Sequence, residues 1–178
     1  MAAAPNLPLV TVDEYLNTAY PDGDREYLDG EVAERNLGTP GHSALQKILI
    51  VHLAAFEGQF GLAIRPECRT QVAEARYRVP DILVMKRPFR QTDQVVLDPP
   101  LIIVEILSPD DRTQDTIRRF REYEVLGVPH ILQMDPEDRT TFVFKNGNLL
   151  RQNLMHLEIP GGRLPFDTTD LLGRLDRE

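Results

Sequence analysis

The stretch Leu101-Ile102-Ile103-Val104-Glu105-Ile106-Leu107 decides the fold class. Side chains along a strand point alternately to the two faces of its sheet, so a run that is apolar at odd and even positions alike offers no face to water. It reads as a central strand covered by helices on either side. One carboxylate, Glu105, interrupts it. Held there, a carboxylate must lose its hydration, or else meet a cation or a proton.

Downstream of this strand and the Ser108-Pro109-Asp110-Asp111 turn, residues 113–126 carry Ile117, Phe120, Tyr123 and Leu126 at helical spacing, and Gly127 marks the stop. Residues 128–134, 140–145 and 149–152 then read as strands, with Asn146-Gly147 as a hairpin turn. Upstream, residues 62–65, 71–75 and 79–85 read as three strands separated by turn-like residues. Before them, Leu45, Ile48, Leu49, His52, Leu53 and Phe56 recur every three or four residues. That spacing predicts an amphipathic helix over residues 43–60, with Gln46, Lys47 and Glu57 facing solvent. Nearer the start, Pro21-Asp22-Gly23 reads as a turn, and Tyr27-Leu28 and Glu31-Val32-Ala33 flank Asp29-Gly30, a dipeptide suited to the positive φ angles of a tight hairpin. Thr11 followed by Glu14 reads as a capping box opening a short helix. The expected architecture is α/β (α+β): a mixed central β-sheet flanked by helices, preceded by an N-terminal helix and β-hairpin.

At 178 residues, with 42% hydrophobic and 27% charged residues, the chain is expected to form a single domain over residues 1–178, with its core at about 11–172. A lone cysteine, Cys68, allows no internal disulfide, and the sequence has no paired-cysteine zinc spacing. The opening MAAAPNLPLV lacks a basic leader and a sustained apolar run, and the apolar stretches at 48–56 and 101–104 fall short of the roughly 20 residues that a membrane-spanning helix requires. A cytoplasmic protein without membrane contact is therefore expected. The formal charge of −8 and pI near 5.0 oppose avid nonspecific binding of polyanions, although a local basic groove or bound cations would offset part of that charge.

Asp81 is a second anomalous carboxylate. It follows Pro80 at the head of Ile82-Leu83-Val84-Met85 and would share a pleat face with Leu83 and Met85. If the two strands are neighbours, Asp81 and Glu105 converge on one point, where hard oxygen ligands suit Mg²⁺ or Mn²⁺ with water completing the shell. Such a metal could neutralise a phosphodiester and lower the pKa of an attacking water. A blander reading makes Asp81 a turn device and Glu105 an edge-facing residue or the partner of a buried arginine.

Pro80-Asp81, together with the run from Pro99 through Glu105 to Ser108-Pro109, resembles the Uma-type restriction endonucleases of the PD-(D/E)xK superfamily. Glu26-Tyr27-Leu28-Asp29-Gly30-Glu31 looks like that family's early hairpin motif, and His42 matches a histidine opening its first core helix. Tyr123-x-x-x-Gly127-Val128-Pro129 with Asp135-Pro136 matches its later helix-strand segment. The resemblance implies a restriction-endonuclease-like core, with Asp81, Glu105 and the backbone carbonyl of Ile106 as metal ligands. It implies an endonuclease that hydrolyses DNA phosphodiester bonds.

The superfamily's lysine, two residues after the glutamate, is Leu107 here. In the Uma-type proteins that lysine comes from the following helix, and the matching position is Arg119. Arginine keeps the charge but is not deprotonated, and its planar fork places that charge differently. The implied site is therefore Asp81, Glu105, Arg119, Glu26 and His42. Arg119 could equally belong to a solvated helix face with Arg112, Arg118 and Arg121, His42 could be a packing residue, and Glu26 an exposed hairpin residue. Cutting both strands of a duplex makes a homodimer plausible. The competing function is a weakened nuclease fold that binds nucleic acid or protein without cutting.

Overall fold

The chain passes repeatedly between two sheets, and the last of these passages places the first candidate carboxylate. In the computed structural model of the protein, which describes residues 9–21, 25–36, 38–109 and 111–177, the chain begins with α1 (Val12–Asn17) and the hairpin β1 (Glu26–Leu28) and β2 (Glu31–Ala33). Then follow α2 (Pro40–Ala54), α3 (Glu57–Phe60), β3 (Leu62–Pro66), β4 (Thr70–Ala73), β5 (Arg76–Arg78), β6 (Ile82–Lys86) and β7 (Ile102–Ile106). The remainder is α4 (Thr113–Leu126), β8 (His130–Asp135), β9 (Thr140–Lys145), β10 (Asn148–Arg151), β11 (His156–Ile159), β12 (Gly162–Pro165) and α5 (Thr168–Gly173). The expected turn at residues 21–23 lies largely outside the described residues, as do Asp110 and most of the opening segment.

The large sheet has the order β10-β9-β8-β7-β6-β3. β7 is central: it runs antiparallel to β6 and parallel to β8. A parallel pair needs a crossover, which α4 supplies. One face packs Ile82, Val84, Ile102 and Val104 against Leu45, Leu49 and Leu53 of α2 and against Phe166 and Leu171 near the end of the chain. The other packs Leu83, Met85 and Ile103 against Phe120 and Tyr123 of α4. Both faces of β7 are thus dry, as its unbroken apolar run requires, and the mixed sheet with helices on both sides agrees with the expectation.

A small antiparallel sheet, β2-β1-β5-β4, stands beside it. Tyr15 of α1 stacks on Tyr27 with ring centroids 5.1 Å apart, and Tyr77 completes the cluster. The Thr11–Glu14 capping box is formed in full. Asp29 (φ 53°) and Gly30 (φ 100°) both occupy the left-handed region, as a tight hairpin turn demands.

Three expectations need correction. The helix expected over 43–60 starts earlier and breaks: Thr39 caps its N-terminus by accepting the His42 N–H, Pro40 fits the first turn, and after Ala54 the chain re-forms as the separate α3, closed by Gly61 in the left-handed region. Glu57, expected to face solvent, accepts the Ile64 N–H instead (2.9 Å), and Gln46 reaches the Asp81 carbonyl (3.0 Å). The strand expected over 79–85 begins only at Ile82: residues 79–81 are the link from β5 in one sheet to β6 in the other, because Pro80 has no N–H to give a ladder. The last segment, for which the sequence offers no reading, holds the β11–β12 hairpin and α5, capped by Asp167. No helix among the described residues is long and apolar enough to cross a membrane.

Candidate active site

Val79-Pro80-Asp81 carries the chain from β5 in the small sheet to β6 in the large one. The β6–β7 register, which pairs Ile82 with Val104, brings Asp81 alongside the Glu105 end of β7. Asp81 is 4% exposed. Its Oδ2 accepts the Ile106 N–H (2.7 Å) and lies 3.2 Å from Nε2 of His42. Its Oδ1 accepts from Nη2 of Arg35 (2.7 Å). His42 stands on the first turn of α2, so the Thr39 cap that starts the helix also aims the imidazole.

Glu105 lies on the face of β7 that α4 covers. The Tyr123 hydroxyl donates to its Oε1 (2.7 Å), and Nη1 of Arg119 lies 3.4 Å from Oε2. Arg119 and Tyr123 are one helical turn apart, which lets both reach the same carboxylate. Arg119 therefore points inward and not to the solvated face. Its Nε approaches Oε1 of Glu26 (3.8 Å), yet among the described residues this buried nitrogen has no hydrogen-bond partner.

Glu26 belongs to a further ionic network. The register pairing Tyr27 with Tyr77 sets Glu26 beside Arg78, whose Nη1 donates to it (2.5 Å). Arg78, 3% exposed, also donates through Nε and Nη2 to Glu122 of α4 (2.6 and 3.0 Å). Arg76 joins from Glu122 (2.6 Å) and pairs with Asp29 in the hairpin turn. The network ties the small sheet to the helix that carries Arg119 and Tyr123.

Burial drives the electrostatics. It pushes the Glu105 carboxyl up to about 7, with the charges of Asp81 and Glu26 adding to the rise and Arg119 and Tyr123 opposing it. For Asp81, burial alone would raise the value, but the bond and charge of His42, the Ile106 N–H and Arg35 hold it below the ordinary aspartate value. Burial likewise opposes a charged His42, and the Asp81 carboxylate outweighs it, so the imidazole is raised. Burial and the Glu105 charge push the Tyr123 phenol well up, which keeps it a donor.

These groups open on a cleft of about 580 Å³ whose lining includes Glu26, His42, Asp81, Glu105, Ile106 and Arg119. All the residues expected at the site thus meet in one place. The donor set fits a hard divalent cation: two carboxylates and a main-chain carbonyl suffice for an ion such as Mg²⁺ that keeps several waters. The raised Glu105 carboxyl marks a point where more positive charge would be stabilising. Among the described residues no group of three or more His, Cys, Asp or Glu is arranged to hold a metal, so a site here depends on water and backbone for its remaining ligands. The edge-facing alternative for Glu105 fails, since β7 is central. Glu105 does partner an arginine, Arg119, whose side chain is half-buried and not fully so.

Sequence reasoning missed Arg35, Arg78, Gln46 and Gln133. Gln133 lines the cleft from β8, opposite Glu105, as a polar residue in the apolar run Ile131-Leu132-Gln133-Met134. The signal that exposed Glu105 was present there too. Arg35 stands in a polar segment after a hairpin, and Arg78 beside an alternating strand; neither position looks unusual until the sheets are assembled.

A crystal structure described as "a putative nuclease belonging to DUF820 from Anabaena variabilis ATCC 29413" superposes with a TM-score of 0.77 at 22% identity, covering 93% of this chain and 99% of that one. At that identity the likeness speaks for the fold. A cryo-EM structure of a DrdV–DNA complex aligns over 76% of this chain and 92% of that one at 16% identity, with a TM-score of 0.34, too low to carry an argument. No curated protein matches. The family described as "Putative restriction endonuclease" matches residues 12–164, most of the sequence, and the chain belongs to this Uma2 family.

Proposed function

We propose that the protein is a divalent-metal-dependent endonuclease that hydrolyses DNA phosphodiester bonds, acting as one domain over residues 1–178 and as a homodimer on duplex substrates. The observation that carries the reading is the convergence of Asp81 and Glu105, both buried, at the base of an open cleft. Asp81, Glu105 and the Ile106 carbonyl would hold Mg²⁺ or Mn²⁺, which when bound supplies Lewis-acid charge and a water of lowered pKa.

The chain's own residues do the rest. His42 and the Ile106 N–H fix the Asp81 carboxylate in one orientation, and the Tyr123 hydroxyl fixes that of Glu105. Arg119 lies beside Glu105 with a buried N–H uncommitted, placed to stabilise charge that develops on the phosphoryl group. Glu26 lies 3.8 Å from the Arg119 Nε and is itself held by Arg78.

The test is incubation of the purified protein with plasmid and branched DNA plus Mg²⁺ or Mn²⁺, alongside Asp81→Asn and Glu105→Gln, with metal binding followed by calorimetry. Cleavage lost in both variants supports the nuclease. A specific observation favours the second reading, a weakened nuclease fold that binds without cutting: the cation at the catalytic position is an arginine fixed between two carboxylates. Metal binding without cleavage would select it.

A further inference from the structure

We propose that Arg35 is a placeholder cation: it occupies the Asp81 oxygen that a divalent ion would take, and once displaced it binds a non-bridging oxygen of the DNA phosphodiester. The inference rests on the metal-dependent reading above. Two of the three donors on Asp81 are built into the fold. The Ile106 N–H belongs to the central strand, and His42 stands on the capped first turn of α2 with its ring so close to Gly38 that an added Cβ there would come within 3.1 Å of the imidazole Nδ1. Both act on Oδ2. The third donor, Arg35, holds Oδ1, the oxygen left for a ligand.

Arg35 differs from Arg119 in what fixes it. Arg119 extends from a helix and lies between Glu105 and Glu26. Arg35 comes from the irregular segment after β2, and beyond Asp81 its contact is a loose one to Glu67 (3.6 Å), itself 52% exposed; the two guanidiniums are about equally accessible, at 20% and 25%. A divalent charge held by Asp81 and Glu105 would repel both guanidiniums; Arg119 contacts its carboxylates at longer range (3.4 and 3.8 Å against 2.7 Å) but is carried by a helix, and Arg35, on an irregular segment, is the one that would swing away.

Arg35 lines the cleft, and a released guanidinium there has the planar fork that suits a phosphate. Metal then frees Arg35 for the phosphodiester, and a phosphodiester draws Arg35 off the metal site. The two ligands bind with positive coupling, equal in both directions.

The test measures Mn²⁺ affinity of the full chain by the electron paramagnetic resonance of free Mn²⁺, for the unaltered protein, Arg35→Gln and Asp81→Asn. Binding of a phosphorothioate-linked duplex by fluorescence anisotropy, with Mn²⁺ and with EDTA, completes it. Arg35→Gln is expected to bind Mn²⁺ more tightly, by roughly fivefold or more, and DNA more weakly in the presence of Mn²⁺. Unchanged or weaker Mn²⁺ binding in Arg35→Gln, with binding lost in Asp81→Asn, overturns the placeholder while leaving the metal site standing. Tighter Mn²⁺ binding with unchanged DNA affinity overturns the phosphate step. No Mn²⁺ binding by any form overturns the metal-dependent reading and the proposal with it. Arg35→Lys, which keeps the charge but not the fork, is a second variant should Arg35→Gln fold poorly; it is expected to lose DNA affinity in Mn²⁺, and unchanged affinity counts against the phosphate contact.

Discussion

Burial sets the Glu105 carboxyl at about 7 against an ordinary 4.5, and this fixes how stability responds to pH. Between pH 4.5 and about 7 the unfolded chain has released this proton while the folded chain keeps it, so the Glu105 contribution falls as pH rises through that window. His42 has the same sign at higher pH: its value is raised above 6.5, so its contribution is complete below 6.5 and lost as pH rises through the folded value. Asp81, lowered below 3.8, contributes above that pH and loses its contribution only in stronger acid, outside both windows. EDTA-treated protein should therefore unfold at lower urea at pH 8 than at pH 5. Glu105→Gln should flatten the part between 4.5 and 7, a contribution on the order of 3 kcal/mol, and Mg²⁺ should restore stability at pH 8.

Arg119 poses a second question at this scale. Arg119→Lys replaces a fixed fork by an ammonium that can shift its pKa and approach a bound water, so cleavage rates measured on plasmid should rise, on the order of tenfold. Equal rates in both forms would mean that Arg119 does not do the lysine's work. Asp81 and Glu105 were legible from sequence because each is a charge in an apolar pattern. Arg35 and Arg78 were not, because an arginine in a polar context is ordinary until its partner arrives from another sheet.

At the scale of elements, the Arg78 network decides whether the small sheet and α4 hold a common geometry. Arg78 is buried and neutralises Glu26 of β1 and Glu122 of α4 together. Removing it leaves two carboxylates with less compensation, so Arg78→Ala should cost about 3–5 kcal/mol in urea unfolding, as breaking a buried ion pair does. Glu26→Gln with Glu122→Gln in the same background should recover part of that loss. Elsewhere the legibility of elements follows the length of their pattern. α4 was readable to its last residue because its apolar spacing and Gly127 agree. The β11–β12 hairpin was not, since each strand has four residues and the Gly161-Gly162 turn was the sole strong local signal. Pro80 marked a break that sequence reading passed over, although a proline inside a strand pattern argues for one.

At the scale of the whole molecule, the proposed function requires an acidic chain to bind a polyanion through a small basic area. The formal charge is −8, and Glu26, Glu34, Asp111 and Asp115 line the same cleft as the candidate ligands. The cations there that reach solvent are Arg35, Arg112, Arg118 and Arg119, and Arg118 is already paired with Asp115 at 3.0 Å. Each phosphate neutralised adds about −0.9 to the slope of log affinity against log salt on duplex DNA. With no more than these four contacts per chain, the slope should be no steeper than about −4, and shallower in EDTA, where Arg35 remains on Asp81. Anisotropy titrations of a short duplex between 50 and 200 mM salt, roughly the range over which such slopes are read, supply the measurement. A much steeper slope would place the DNA on a different and larger basic surface. A shallow slope that steepens when Mn²⁺ is added, and fails to do so in Arg35→Gln, would show the metal recruiting a cation that the protein otherwise keeps for itself.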